Sequence, residues 1–282
     1  MRLTVSLPAL LLTTLAMLPA TAADWSSNSM GYRYYSAQSE PGTSDEVAKN
    51  VLNFTHVSGD KLGTNLFVID YLKSDRNDPA NGSEAGATEW YGFYKRSFSL
   101  SALSGNKGGY GFAKDLYLTG RVDLGSKNTQ FAPAPAKLRV GMSMDLPVKA
   151  GFWNVGVEVY KEQNNNSLAS AGKRAVDFDP TLALTSAWSI PVAGLGSFDG
   201  FLDVVGPKGK DGFGNETATE VLLRATMMFD IAGPKSGLQA GVGLEYWGNK
   251  FGCDNSKNGT TSGGVTNTCK ALSPMVLATY KF

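Results

Sequence analysis

The sequence predicts an all-β protein: a transmembrane, antiparallel, up-and-down β-barrel of about twelve strands. Three observations carry this. Apolar and polar residues alternate along stretches longer than soluble strands usually run. The connections between those stretches alternate between long and short. The chain closes on alternating apolar residues that end in Phe282.

The alternation is clearest at Val221 to Ile231. Val221, Leu223, Ala225, Met227, Phe229 and Ile231 fall on one face, and Leu222, Arg224, Thr226, Met228 and Asp230 on the other. A helix would spread Arg224 and Asp230 around its circumference, whereas a strand of period two separates them cleanly. The pattern predicts twelve strands near 26–37, 46–58, 62–74, 86–99, 110–124, 137–147, 151–162, 176–190, 196–206, 217–231, 237–249 and 269–282. Most are about ten residues or longer, the length of a tilted membrane-crossing strand. In the segment 86–99 the aromatics occupy both faces, Trp90, Tyr94 and Phe98 with Arg96, and Tyr91 and Phe93 with Lys95. Its register is therefore open.

The odd-numbered connections are mostly long and polar (38–45, 75–85, 125–136, 163–175, 207–216 and 250–268). The even-numbered ones are mostly short (59–61, 148–150, 191–195 and 232–236), with 100–109 as the exception. Long outside loops and short periplasmic turns are the asymmetry of an outer-membrane barrel. An open sheet edge in lipid would leave backbone groups unpaired, so the sheet must close. Val276, Ala278, Tyr280 and Phe282 at period two resemble the signal read by the outer-membrane insertion machinery, which is thereby an expected partner together with lipid and lipopolysaccharide.

Residues 1–22 read as a secretory signal peptide, with Arg2, an apolar run from Leu7 to Leu18 and Ala20-Thr21-Ala22 before the expected cleavage point. The barrel domain is then 23–282, in the bacterial outer membrane. An exported chain favours a disulfide between Cys253 and Cys269, the two cysteines, across a polar loop.

Composition excludes several functions. A single histidine leaves no multi-His metal site, and 26 basic against 25 acidic residues give no basic bias for nucleic acid. No metal or cofactor is expected. Removing residues 1–22 takes away one positive charge, Arg2, and leaves a neutral chain.

Charges on alternate strand positions are tolerable where they face water or one another. The predicted lumen carries Arg33, Asp70, Asp115, Arg121, Asp123, Arg139, Asp145, Glu158, Asp199, Asp203, Glu220, Arg224, Asp230 and Glu245, with the aromatics Tyr35, Tyr117, Tyr160, Phe201 and Trp247. An aromatic in a wet lumen offers a face on which a nucleobase or sugar ring can stack. The candidate solute-contacting residues are Tyr35, Asp70, Tyr117, Arg121, Arg139, Glu158, Tyr160, Phe201, Asp203, Arg224, Glu245 and Trp247. Twelve strands lie between the filled eight-stranded barrel and the wide channel of 16–18 strands, a size suited to a narrow pore.

Asp24-Trp25-Ser26-Ser27, with Tyr32, Tyr34 and Pro41, resembles the first strand of the Tsx-like nucleoside-specific outer-membrane channels. Asn53 to Gly59, then Gly63 to Phe67, Asp75 to Pro79 and the Tyr280-Lys281-Phe282 ending resemble the proteobacterial outer envelope proteins of the same superfamily. The likeness covers 23–282 in architecture, and its sharp residues lie mostly in 24–79. It implies a twelve-stranded barrel for passive, selective diffusion of nucleosides. The Cys253–Cys269 loop and the middle strands depart from the family, so none of its nucleoside-contacting positions transfers to this chain.

Two other functions compete with a channel. An outer-membrane lipase or protease using a histidine base has only His56, expected near the periplasmic rim, and no G-x-S-x-G elbow is present. An adhesin or structural barrel would use the polar outer loops. The acidic run Asp75 to Asp78 reads as a solvated loop, since its spacing matches no calcium loop. The chain is therefore expected to be no enzyme.

Overall fold

The structure is a computed structural model that describes residues 23–43, 46–106, 108–192, 194–233, 236–257 and 269–282. The expected signal peptide, 1–22, lies outside the described residues, as does 258–268 within the Cys253–Cys269 loop.

Among the described residues the strands are β1 (Trp25–Gln38), β2 (Val47–Asp60), β3 (Gly63–Ser74), β4 (Thr88–Ser99), β5 (Asp115–Lys127), β6 (Ala136–Asp145), β7 (Phe152–Asn165), β8 (Ala175–Asp177), β9 (Thr181–Val192), β10 (Gly196–Val205), β11 (Glu220–Asp230), β12 (Leu238–Gly248) and β13 (Ala271–Lys281). Every pairing is antiparallel. Each strand lies beside its sequence neighbours, except that β9 pairs with β7 and β8 pairs only with the tip of β7. β1 pairs with β13, from Ser29 opposite Lys281 to Tyr35 opposite Met275, so the wall of twelve strands closes on itself. Closure gives each of the twelve wall strands two partners and leaves the wall no edge for lipid to desolvate.

The outward face is apolar. Met30, Leu52, Ile69, Val140, Leu184, Val242 and Val276 are all exposed to the exterior. Trp90, Tyr94, Trp153, Phe198, Tyr280 and Phe282 stand among them, and Trp153 Nε1 donates to Ser186 Oγ at 2.9 Å. An apolar exterior with aromatics on a closed sheet suits a bilayer, where water would hold the same groups at a cost. Phe282 lies just past β13, and its backbone N–H and C=O pair with Asn28, at 2.9 and 3.0 Å.

The two ends differ as the loop alternation predicts. One end carries both described termini and the connections 61–62, 146–151 and 194–195, together with the longer connection from Leu100 to Lys114, which begins with a short helix. Gly63 forms the first of these turns at φ 147°, and a Cβ there would lie 1.9 Å from the Ser97 carbonyl oxygen. The opposite end carries the remaining long connections. These pair with one another: Ser167 N–H with Phe131 C=O (3.0 Å), Asn81 N–H with Asn128 C=O (2.8 Å), and Ala218 N–H with Gly252 C=O (2.9 Å).

Several expectations need correction. The strand expected over 110–124 starts at Asp115, because Ser99 caps a short helix, α1 (Leu100–Ser104), and Tyr110 pairs with Ala113 before the chain turns upward. The strand expected over 176–190 is two pieces, since β8 hooks onto β7 and the wall resumes at Thr181. The acidic run is no solvated loop: Asp78 is buried and accepts from Ser74 Oγ at 2.6 Å, and Asp75 Oδ2 accepts from the Ala48 N–H at 3.1 Å. The open register of β4 resolves with Tyr91, Phe93 and Lys95 inward, against Asp123, Arg121 and Glu158, while Trp90 and Tyr94 face out.

Candidate functional site: the lumen

All twelve candidate residues project into the lumen, because each sits on the odd or even parity opposite the apolar exterior of its strand. They divide into groups according to the partners they meet.

Arg224 donates to Glu245 through Nε (2.8 Å) and Nη2 (2.7 Å), Tyr35 Oη donates to the same carboxylate at 3.1 Å, and Gln38 Nε2 at 2.9 Å. The Arg224 guanidinium lies 5.1 Å from the centre of the Phe201 ring. These residues come from β1, β10, β11 and β12. Beside them Arg33 pairs with Asp70, whose other oxygen accepts from Asn53 Nδ2 at 2.6 Å.

A second group spans the lumen. Arg139 of β6 grips Asp203 of β10 with two bonds of 2.7 Å, and packs 4.8 Å from the Tyr160 ring centre. The pair is a chord over β7 and β9. Arg121 binds Asp123 in the same forked manner, at 2.8 and 2.6 Å, and stacks 3.9 Å from the Phe93 ring. Glu158 of β7 accepts from Thr119 Oγ1 at 3.1 Å and faces Lys95 of β4 at 3.6 Å. Forked guanidinium–carboxylate pairs fix geometry as well as charge.

Tyr117 and Trp247 stand apart. Tyr117 donates to Asp145 at 2.7 Å near the short-turn end, and Trp247 Nε1 to Glu220 at 2.7 Å near the long-loop end.

Sequence reasoning missed the residues that close the long-loop end. Glu40, in the connection after β1, reaches in to Lys49 (2.6 Å), Lys127 (3.1 Å) and Lys250 (2.9 Å). Lys127 also pairs with Asp78 at 2.8 Å. From the connection after β10, Lys208 pairs with Glu162 and lies 4.4 Å from the Phe178 ring centre. Both loop residues sit in polar stretches that read as solvated; nothing local in P-K-G-K or E-P-G says the side chain turns inward. Burial raises the Glu40 carboxyl, but Lys250, Lys49 and Lys127 outweigh it and hold Glu40 well below the usual carboxylate range. Burial pulls the Lys250 ammonium below its ordinary value, partly offset by Glu40.

The lumen is therefore graded. In the long-loop half Asp123 is 0 % exposed and Tyr160 and Lys250 are each 1 % exposed, and at mid-depth Glu158, opposite Gly141, is 1 % exposed. In the short-turn half the inward positions are small, among them Ser29, Gly31, Thr55, Ser97, Gly141, Gly156, Ser189, Gly241 and Thr279, and they are half-buried. Water-reachable charge persists between the two, on Arg121, Lys95, Arg224, Asp203 and Asp70. Among the described residues the buried atoms Glu158 Oε2 and Arg139 Nε have no hydrogen-bond partner.

Cys253 and Cys269 are bonded, with Cα atoms 5.6 Å apart. His56 faces outward near the short-turn end, and its Nδ1 lies 2.8 Å from Asn28 Oδ1. No cluster of metal-ligating side chains occurs among the described residues.

No protein-family profile matches the chain, and no curated protein matches it in sequence. Among solved structures it is similar to the translocator domain of the autotransporter NalP from Neisseria meningitidis, at 13% identity and TM-score 0.48, covering 98% of this chain and 94% of that one. It is also similar to the β domain of the Bordetella autotransporter BrkA (12%, TM-score 0.40, 91% and 99% covered). The outer membrane protein OpdK from Pseudomonas aeruginosa is a third (11%, TM-score 0.27, 93% and 100%). At these scores none of them assigns a function to this chain.

Proposed function

We propose that this chain is a bacterial outer-membrane channel for passive diffusion of small polar solutes, with nucleosides as the leading substrate class. The observation that carries it is the middle of the lumen. Partly exposed guanidiniums lie against ring faces there, Arg121 on Phe93 and Arg224 on Phe201. A flat solute with ring faces and hydroxyls exchanges its water for such groups with weak, reversible contacts, as passage requires. The resemblance of 24–79 to Tsx-like channels supports the nucleoside class. Long loops facing outside and short turns facing the periplasm give the orientation.

We read no enzyme in the chain. His56 lies on the outward wall with an amide for its near neighbour, not in the lumen beside a nucleophile. A second reading, a structural barrel, is favoured by one observation: the burial of Asp123, Tyr160 and Lys250 in the long-loop half.

Liposome permeation decides between them. Vesicles carrying the protein are compared for entry of nucleosides, sugars and amino acids of equal size. A channel of this kind passes nucleosides faster than sugars, and Phe93→Ala with Phe201→Ala narrows the difference. Equal entry of all three refutes nucleoside selectivity. Entry no faster than in empty vesicles refutes the channel and leaves the structural barrel.

A further inference from the structure

Glu40 is an acid on a loop, and two of its three lysines belong to strands of the wall. Lys49 comes from β2, Lys127 from the end of β5, and Lys250 from the turn after β12, where its N–H is held by the Cys269 carbonyl at 2.8 Å. Three elements far apart in sequence thus present ammonium groups to one point, and the Glu40 carboxylate occupies it. Its fit is uneven. Lys49 and Lys250 both take Oε1, at 2.6 and 2.9 Å, while Lys127 takes Oε2 at 3.1 Å. A carboxylate has acceptor sites for three donors, but here two of them crowd one oxygen. A tetrahedral or multiply charged oxyanion has an oxygen for each.

The charge balance points the same way. Lys49, Lys127 and Lys250 face Glu40, Asp78 and Glu89, with Glu89 3.4 Å from Lys49. Asp78 pairs with Lys127 and Glu89 with Lys49. If Glu40 leaves, three ammoniums face two carboxylates and one positive charge is uncompensated in a buried place, which is costly unless an anion replaces it. Glu40 stands outside the strand ladder that fixes a wall residue, though Lys250 Nζ also bonds the Ser39 carbonyl at 3.0 Å. The connection is a turn closed by the Thr43 N–H on the Glu40 carbonyl at 3.0 Å, with no strand pairing at Glu40 itself.

We propose that Lys49, Lys127 and Lys250 form a binding site for a small phosphate- or carboxylate-bearing anion at the long-loop mouth, and that Glu40 is its tethered occupant, displaced when the solute arrives. The site needs no conduction through the barrel, so its fate is separable from that of the channel reading.

The test is calorimetry on the purified full-length protein in zwitterionic detergent, titrated with inorganic phosphate and, in a parallel arm, citrate. Glu40→Gln removes the competing charge and is expected to bind one oxyanion per barrel at least tenfold more tightly than the wild type. Adding Lys250→Gln reverses that gain. The tighter of the two arms identifies the oxyanion class. A second measurement keeps Glu40 in place: Thr43→Cys is labelled with a maleimide, and the rate is expected to rise several-fold in phosphate or citrate but not in chloride of equal ionic strength. The proposal is overturned if Glu40→Gln binds neither anion more tightly than the wild type, or if Lys250→Gln leaves the affinity unchanged. Labelling of Thr43→Cys that ignores both oxyanions overturns it too, and decides alone should Glu40→Gln not fold.

Discussion

The chord from Arg139 to Asp203 offers the sharpest test of how the lumen is held. Asp203→Asn keeps the size of the side chain and removes its charge. The Arg139 side chain is 2 % exposed and that of Asp203 16 %, so the guanidinium has almost no access to water when its partner goes. Charge centres about 4 Å apart attract by about 4 kcal/mol at an effective dielectric constant of about 20. Desolvation offsets much of that in the intact pair, but the uncompensated charge left by removing one partner costs about 3–5 kcal/mol. Asp203 retains some solvent, and Asp123 lies near enough for relaxation, which places the loss at about 3 kcal/mol. Urea unfolding in lipid vesicles, followed by tryptophan fluorescence, measures it. The paired variant Arg139→Met with Asp203→Leu, which leaves no buried charge, is expected to recover most of the loss. A single variant within about 0.5 kcal/mol of the wild type would refute the idea that this chord braces the lumen. So would a double variant no better than the single.

Acid should release the long-loop clasp. Glu40 is held below its ordinary range, so the stability it contributes is complete above about pH 4.5 and is lost only as pH falls through its lowered folded value. The groups facing it are Lys49, Lys127 and Lys250, with Asp78 and Glu89 beyond. The thermal stability gap between wild type and Glu40→Gln should thus be constant from pH 8 to pH 5 and close in stronger acid; a gap already closed at pH 5.5 contradicts the ion-pair account. Replacing Cys253 and Cys269 with Ser should cost about 3 kcal/mol on the loop-closure estimate for a separation of 16 residues, and unfolding with and without reductant reads it directly. Gly141→Leu and Gly120→Leu form a contrasting pair. A Cβ at Gly141 would lie 2.1 Å from the Val157 carbonyl oxygen, whereas at Gly120 nothing lies within 4 Å. The first variant should lose heat-modifiable migration of the folded barrel on gels, and the second should keep it.

Outside β4, the alternation of side chains by itself tells which residues face inward. Arg224 and Asp230 could share a face with neither Val221 nor Phe229 on a pleated strand, because successive side chains point to opposite sides. In the same way the loop lengths tell which end most connections occupy, the long one between Ser99 and Asp115 being the exception. What alternation leaves undetermined is who meets whom across the lumen. Arg139 finds Asp203 only because four strands curve far enough to bring β6 over β10, a consequence of closure rather than of local sequence. The β4 segment, with rings on both faces, took its orientation from the partners Asp123, Arg121 and Glu158 on β5 and β7. Glu40, Lys208 and Lys250 were illegible for a plainer reason. A polar residue in a loop has the same sequence signature whether it meets water or a buried opposite charge, and only the folded barrel brings that charge within reach.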